Sequence, residues 1–322
     1  MKTTMRKWMV CLLSLCTLLA LCACGGKKEP STDDPDSQKT PAEIVEDVSP
    51  AGDPVGQTSD TEESEGPVPQ DSDGLKAVMH EAADKIANAK SISYDQEIHM
   101  VIPIEGLSPL DLSTTMSGVT IREPLQLHNT MFDKSGNTLL ELIAIQDSDY
   151  LNVYVGVNGG DAMTWRRTSV SVDDQESVQE QTASNDISDN YITGLENADS
   201  LKEIGSETVN GKMATRYDGV FHGKDLGNVL TQDYMKVLGI NPDQLNQDAS
   251  VSIWVYEDGL PAKIDIDLGD VLAQTLAMDE DTSGVEGATF RIVLTITGVD
   301  TIGEIVIPQE ALDAEIYLPN SD

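Results

Sequence analysis

Two hydrophobic periods divide the body of the chain. Leu75, Val78, Met79, Ala82, Ala83, Ile86 and Ala89 recur at helical spacing, with His80, Glu81, Asp84 and Lys85 on the other side. That stripe predicts an amphipathic helix packed on another layer. It is narrow and alanine-rich, which permits close approach, and it lacks the large apolar and basic faces of a membrane-lying helix. From Ser91 the period falls to two. Residues 91–104 and 110–121 read as long strands, with Pro109 and Pro124 as boundaries, and Leu125, Leu127, Asn129 and Met131 continue the alternation to a turn at 133–137. Residues 138–145 and 150–157 extend the meander, and 163–170 follow the Asn158-Gly159-Gly160 turn as a further strand. Leu151, Val153, Val155 and Val157 alternate with Asn152, Tyr154 and Gly156, so one face of this sheet is apolar.

The second half repeats the theme after a polar, acidic stretch at 171–200, which reads as loop with short helical pieces. Residues 201–209 and 212–221 form a hairpin across Asn210-Gly211, the strongest short-range hairpin signal in the chain. Residues 224–238 predict a second helix, with Leu226, Val229, Leu230, Tyr234 and Val237 on one side and Gly239 at its end. A further hairpin joins 250–256 to 260–268 over Glu257-Asp258-Gly259, and its second arm sets Ile264, Ile266 and Leu268 against Asp265 and Asp267. A short helix at 271–278, an acidic loop at 279–287, a long strand at 290–299 and short pieces about Pro308 in 305–318 complete the chain. The pattern predicts an α+β fold that is mostly β, with about ten to twelve strands and two or three helices. No internal repeat and no Pro/Gly/Ser-rich boundary divides residues 75–322, which are read as one β-rich domain.

The N-terminus changes the address. Residues 1–23 carry Lys2, Arg6 and Lys7, an apolar core from Trp8 to Leu21, and small residues before Cys24. This is the layout of a secretory signal peptide, and the core is shorter than the roughly 20 residues that span a bilayer. Leu21, Cys22, Ala23 and Cys24 resemble the lipobox of bacterial lipoproteins. The resemblance implies cleavage between Ala23 and Cys24 and a diacylglyceryl thioether on Cys24; an ordinary signal peptide with a chance cysteine is the alternative. All four cysteines, Cys11, Cys16, Cys22 and Cys24, lie in this stretch, so a mature exported chain has no disulfide and rests on its core alone.

Charge narrows the partners. The net charge is −36 and becomes −39 without the three leader cations, which argues against nucleic acid and repels anionic headgroups. Residues 25–74 hold seven of the fourteen prolines, fourteen acidic residues, three lysines and no aromatic residue. Such a segment cannot offset its ordering entropy, so residues 24–74 are read as a lipidated cysteine followed by a disordered acidic tether. Self-repulsion stretches it beyond the ~40 Å of a flexible coil of that length, enough to carry a body into a cell-wall layer, as on a Gram-positive surface.

Several segments taken together, Ala89-Lys90-Ser91-Ile92-Ser93-Tyr94 after the first helix, Val209-Asn210-Gly211-Lys212 with Ala214-Thr215-Arg216-Tyr217, and residues 251–264 with Trp254 and Asp258-Gly259-Leu260-Pro261, resemble LolA/LppX-like extracytoplasmic lipoproteins. The resemblance implies a strongly curved antiparallel half-barrel whose concave face is covered by helices and, in characterised relatives, holds acyl chains. The low aromatic content, 4%, and the acidic inserts at 171–200 and 279–287 depart from the lipid carriers and bear on the ligand more than on the fold.

No serine elbow, phosphate-binding loop or zinc-protease helix occurs in the sequence. His80, His99, His128 and His222 have no partner at metal-ligand spacing, and the loop opening at Asp279 has Phe290 where a calcium loop needs its bidentate glutamate. No catalytic residue, metal or cofactor is expected. Trp165 and Trp254, and Met100, Met116, Met131 and Met163, are candidates either for an apolar ligand lining or for ordinary packing. Two function classes remain. One is a lipid-anchored, non-enzymatic surface protein that binds a lipid or lipopeptide in the hollow of its sheet, with the membrane as partner through Cys24. The other is an interaction or structural module with a closed core and an acidic surface that engages a basic protein.

Overall fold

The computed structural model describes residues 72–316 apart from 105, 161, 175–177, 179–196, 229, 231–234, 236–239 and 279–286. The leader with Leu21, Cys22, Ala23 and Cys24, the tether up to residue 71 and most of both acidic inserts lie outside the described residues, and residues 72–74, read as the end of the tether, instead open the first helix. The elements are helix α1 (Ser72–Ala87), strands β1 (Ser91–Ile102), β2 (Leu110–Asp111), β3 (Thr114–Ile121), β4 (Gln126–Phe132), β5 (Thr138–Gln146), β6 (Tyr150–Asn158), β7 (Met163–Ser171), β8 (Asp199–Val209), β9 (Lys212–Phe221), β10 (Ala249–Tyr256) and β11 (Pro261–Asp267), helix α2 (Gly269–Met278), strand β12 (Thr289–Val299) and the one-turn helix α3 (Gln309–Leu312).

All twelve strands join one antiparallel sheet in the order β7, β6, β5, β4, β3, β1, β12, β11, β10, β9, β8, with β2 paired to the far end of β1. The chain runs outward from β1 to one edge, restarts at the other edge with β8, and winds back until β12 closes on β1. Nearly every pairing is therefore between sequence neighbours, the economical way to build a large sheet. The sheet is curved and does not close, and α1 and α2 cover its concave face.

Local chemistry accounts for the turns. Asn210 and Gly211 both have positive φ, 49° and 76°, which matches the right-handed strand twist in a two-residue hairpin and is tolerated by few other residue pairs. The predicted strand at 110–121 is instead two pieces. Leu112 N–H still reaches the Met100 carbonyl, in the register that pairs Val101 with Asp111 and Ile98 with Thr114, but Asp111 Oδ1 accepts the Ser113 N–H at 3.1 Å and the Ser113 hydroxyl at 2.7 Å, so a local bond interrupts the strand at Ser113. The predicted helix at 224–238 begins as a 3₁₀ segment, Gly223–Asn228. Gly223 and Gly227 weaken an α-helical start, yet Leu226 and Leu230 are buried as their spacing indicated, Met235 is buried as well, and Val229, Tyr234 and Val237 lie outside the described residues.

Strand register assigns each side chain a face. On the inner, concave face the stripe of α1 (Leu75, Met79, Ala82, Ala83, Ile86) and Val271, Leu272 and Leu276 of α2 pack with alternate residues of β1 and β9 to β12 in one apolar cluster. Lys85 of α1 donates to the Asp258 carbonyl in the β10–β11 turn and pairs with Glu81 at 2.8 Å, which fixes the helix over that half of the sheet. The third helix does not join the inner layer. Residues 302–311, with α3, cross the outer face of the other half, where Ile302, Ile305, Ile307 and Ala311 pack with Val119, Ile121, Ile143, Tyr154 and Trp165.

Candidate functional site

The inner face carries two apolar clusters, which meet at Met116 and Met131 and are set apart elsewhere by polar side chains. Its second apolar cluster holds Leu127 and Met131 of β4, Leu140, Leu142 and Ala144 of β5, and Leu151, Val153 and Val155 of β6. These positions are paired directly across the strands: Leu127 with Ala144, Met131 with Leu140, Leu142 with Val155, and Ala144 with Val153. The partly buried Val178, from the connection between β7 and β8, packs against them. Residues of α1 and α2 belong to the other cluster.

Between the clusters runs a seam across β1, β3 and β4. Gly118 of β3 lies between Tyr94 of β1 and Asn129 of β4. A Cβ on Gly118 would stand 2.2 Å from Tyr94 Cζ, so the absence of a side chain there lets the ring lie across β3. The Tyr94 hydroxyl then donates to Asn129 Oδ1 at 3.0 Å, and both residues are buried. One step along β1, Gln96 faces the same side, opposite Leu294 of β12 and Met116 of β3, and is only 1% exposed. Neither its Nε2 nor its Oε1 has a hydrogen-bond partner. Thr120, fully buried between Ile92 and Leu127 on this face, likewise has an unbonded hydroxyl. A polar group left in that condition costs ~1–3 kcal/mol, a penalty an apolar side chain would avoid.

The expected lining residues separate by face. Met100, opposite Phe290, and Met116, opposite Met131, lie on the inner face. Met163 and Trp165 lie on the outer face beside Gly156. Trp254 is also on the outer face, as its pairing with Lys263 and Arg216 shows. Its ring is flanked by Lys263 Nζ at 4.6 Å and Arg216 Cζ at 5.2 Å from the centroid, and its Nε1–H donates to Glu207 at 2.9 Å. That bond, with Arg216 nearby, holds the Glu207 carboxyl below the usual range. Arg216 also binds Asp218; Asp265, read as wet, is buried and paired with Arg291, whereas Asp267 is exposed and accepts the Gly269 N–H. Neither tryptophan lines the inner face.

The histidines remain apart. His128 meets Glu141 at 2.8 Å on the outer face, His99 meets Ser113 at 3.0 Å, and His80 pairs with Asp84. His222 stands between Asp248 at 3.1 Å and Asp199 at 3.4 Å, where β9 enters the 3₁₀ segment, and Asp248 also accepts the Gly223 N–H. Among the described residues no three His, Cys, Asp or Glu side chains are grouped to hold a metal ion, and no described helix is long and apolar enough to cross a membrane. Asp248 first, then Asp199, raise the His222 pKa above its ordinary value. The imidazolium therefore adds stability that is fully present below about pH 6.5 and is lost as pH rises through the raised folded value. The urea midpoint should fall over that interval, and His222→Gln should flatten that part of the profile.

No family model matches the sequence, and no curated protein matches it. Among solved structures the chain is similar to the lipoprotein LppX of Mycobacterium tuberculosis, at 13% identity and a TM-score of 0.43, covering 73% of this chain and 100% of that one. It is similar to LprF of Mycobacterium bovis at 11% identity and a TM-score of 0.41, covering 74% and 98%. The LolA superfamily protein NE2245 of Nitrosomonas europaea matches at 7% identity and a TM-score of 0.22, covering 71% and 94%.

Proposed function

We propose that this chain is a lipid-anchored, non-enzymatic, extracytoplasmic protein that holds the acyl portion of a lipid or lipopeptide against the inner face of β4, β5 and β6. The observation that carries the reading is the division of one sheet face into two apolar clusters by a buried polar seam. A face whose only task is to close on its own helices has no use for the seam. Each methylene moved from water onto the second cluster contributes about 0.8 kcal/mol, so a long acyl chain is held without a covalent step. Cys24 carries the anchor, whose two acyl chains suffice for stable attachment. The acidic tether and the negative body keep the hollow away from anionic headgroups.

A single measurement separates anchor from cargo. Native mass spectrometry of the mature protein extracted from its own membrane should show two additions. One, on Cys24, survives denaturation; the other is lost with the fold. Protein that carries the first and never the second contradicts the carrier reading, and an unmodified Cys24 contradicts the address. The second reading, an interaction module with an acidic surface, is favoured by the half of the inner face that α1 and α2 fill with their own side chains. It predicts capture of a basic protein that is released at raised salt, because exposed charge pairs are screened.

A further inference from the structure

We propose that Gln96 is the residue that recognises the polar end of the bound acyl compound, through a group that both donates and accepts a hydrogen bond. The inference rests on the acyl-binding reading and adds a chemical class to it. Gln96 is 1% exposed, lies on the inner face at the margin of the first apolar cluster, one strand removed from the second, and has an unpartnered Nε2 and an unpartnered Oε1. Its neighbours across the strands, Leu294 and Met116, have no oxygen or nitrogen in their side chains with which to satisfy it. The next inner-face polar group, Asn129, already accepts from Tyr94. A primary amide offers two N–H donors and a carbonyl acceptor. An ester oxygen accepts only and would leave Oε1 unmet. A hydroxyl or a secondary amide next to the acyl chain meets both atoms. The ligand class is thus a hydroxyl-bearing acylglycerol or an N-acylated amino compound, whose chain runs from Gln96 past the Tyr94–Asn129 bridge onto the second cluster.

The full mature protein, stripped of lipid, is titrated with three probes that share one chain: 1-palmitoylglycerol, N-palmitoylglycine amide and methyl palmitate. The expected result is that at least one of the first two binds about tenfold or more tightly than methyl palmitate, since one charge-free bond pair in a dry site is of that order. The tighter of the two identifies hydroxyl or amide as the source. In Gln96→Met, close in length and without the amide, the preference should collapse toward one while methyl palmitate binds as before. Gln96→Leu is the second variant, should either substitution disturb folding. Without ligand, both should melt at or above the wild-type temperature; a merely structural amide would instead lower the melting point and leave the probe ratio unchanged. A preference that persists in both variants overturns the role of Gln96 alone. Failure of every probe to bind the wild type overturns the acyl-binding reading, and this inference with it.

Discussion

Gly118→Val should destabilise the fold by about 3 kcal/mol and disorder the centre of the inner face. The new side chain begins where the Tyr94 ring now lies, with Cζ and Oη at 2.2 and 2.4 Å from its Cβ. An aromatic ring cannot move by tenths of an ångström to resolve that overlap. Tyr94 must leave, and its bond to Asn129 is lost with it. Overpacking accounts for about 1–3 kcal/mol and the lost bond for about 1 more. A double-mutant cycle isolates the contact. Tyr94→Ala alone removes a fully buried ring and costs about 3–5 kcal/mol. The pair with Gly118→Val should cost less than the sum of the two by about 1–3 kcal/mol, because the valine then enters space already cleared. Additive costs in urea denaturation would show that the ring does not depend on the glycine.

The second large effect is expected at Phe290→Ala, at about 3–5 kcal/mol. Phe290 is fully buried at the start of β12, opposite Met100 of β1, and its carbonyl accepts the Leu268 N–H that leads into α2. The cluster around it includes the α1 stripe and the buried residues of α2. Deleting the ring therefore leaves a void under both helices, where the surroundings collapse only in part. Ile204→Ala, on the edge strand β8 with its side chain more than half exposed, should stay within about 0.5 kcal/mol. A loss at Phe290 no larger than at Ile204 would mean that the helices are not seated on this half of the sheet.

The strands were legible wherever alternation was local. The inner-face assignment of Leu151, Val153 and Val155 follows from period two alone, and Asn210-Gly211 named its own turn. The outer burial of Tyr154 and Ile143 did not follow, because residues 302–311 that cover them come from the far end of the chain. A signal was present: Leu139 to Ile145 is apolar at all but Glu141, and a strand covered on both faces needs such a run. The interruption at Ser113 was hidden because Asp111 and Ser113 act through side-chain bonds that composition does not display. Gln96 was the least visible. It sits among Asp95, Glu97 and His99 in a stretch that reads as solvated, and only the register of β1 between β3 and β12 turns it inward. The lipobox reading at Leu21 to Cys24, by contrast, rests on position and residue type alone and lies outside the described residues.

The placement of the ligand is tested most directly by photo-crosslinking. A palmitic acid carrying a diazirine near its methyl end, bound to the mature protein, irradiated and mapped by peptide mass spectrometry, should label inner-face residues of β4, β5 and β6, among them Leu127, Leu142 and Val153, and excess unlabelled palmitate should suppress the labelling. Labelling confined to exposed outer-face positions such as Val306 and Leu312, or labelling that palmitate does not compete, would contradict the proposed acyl site on β4, β5 and β6.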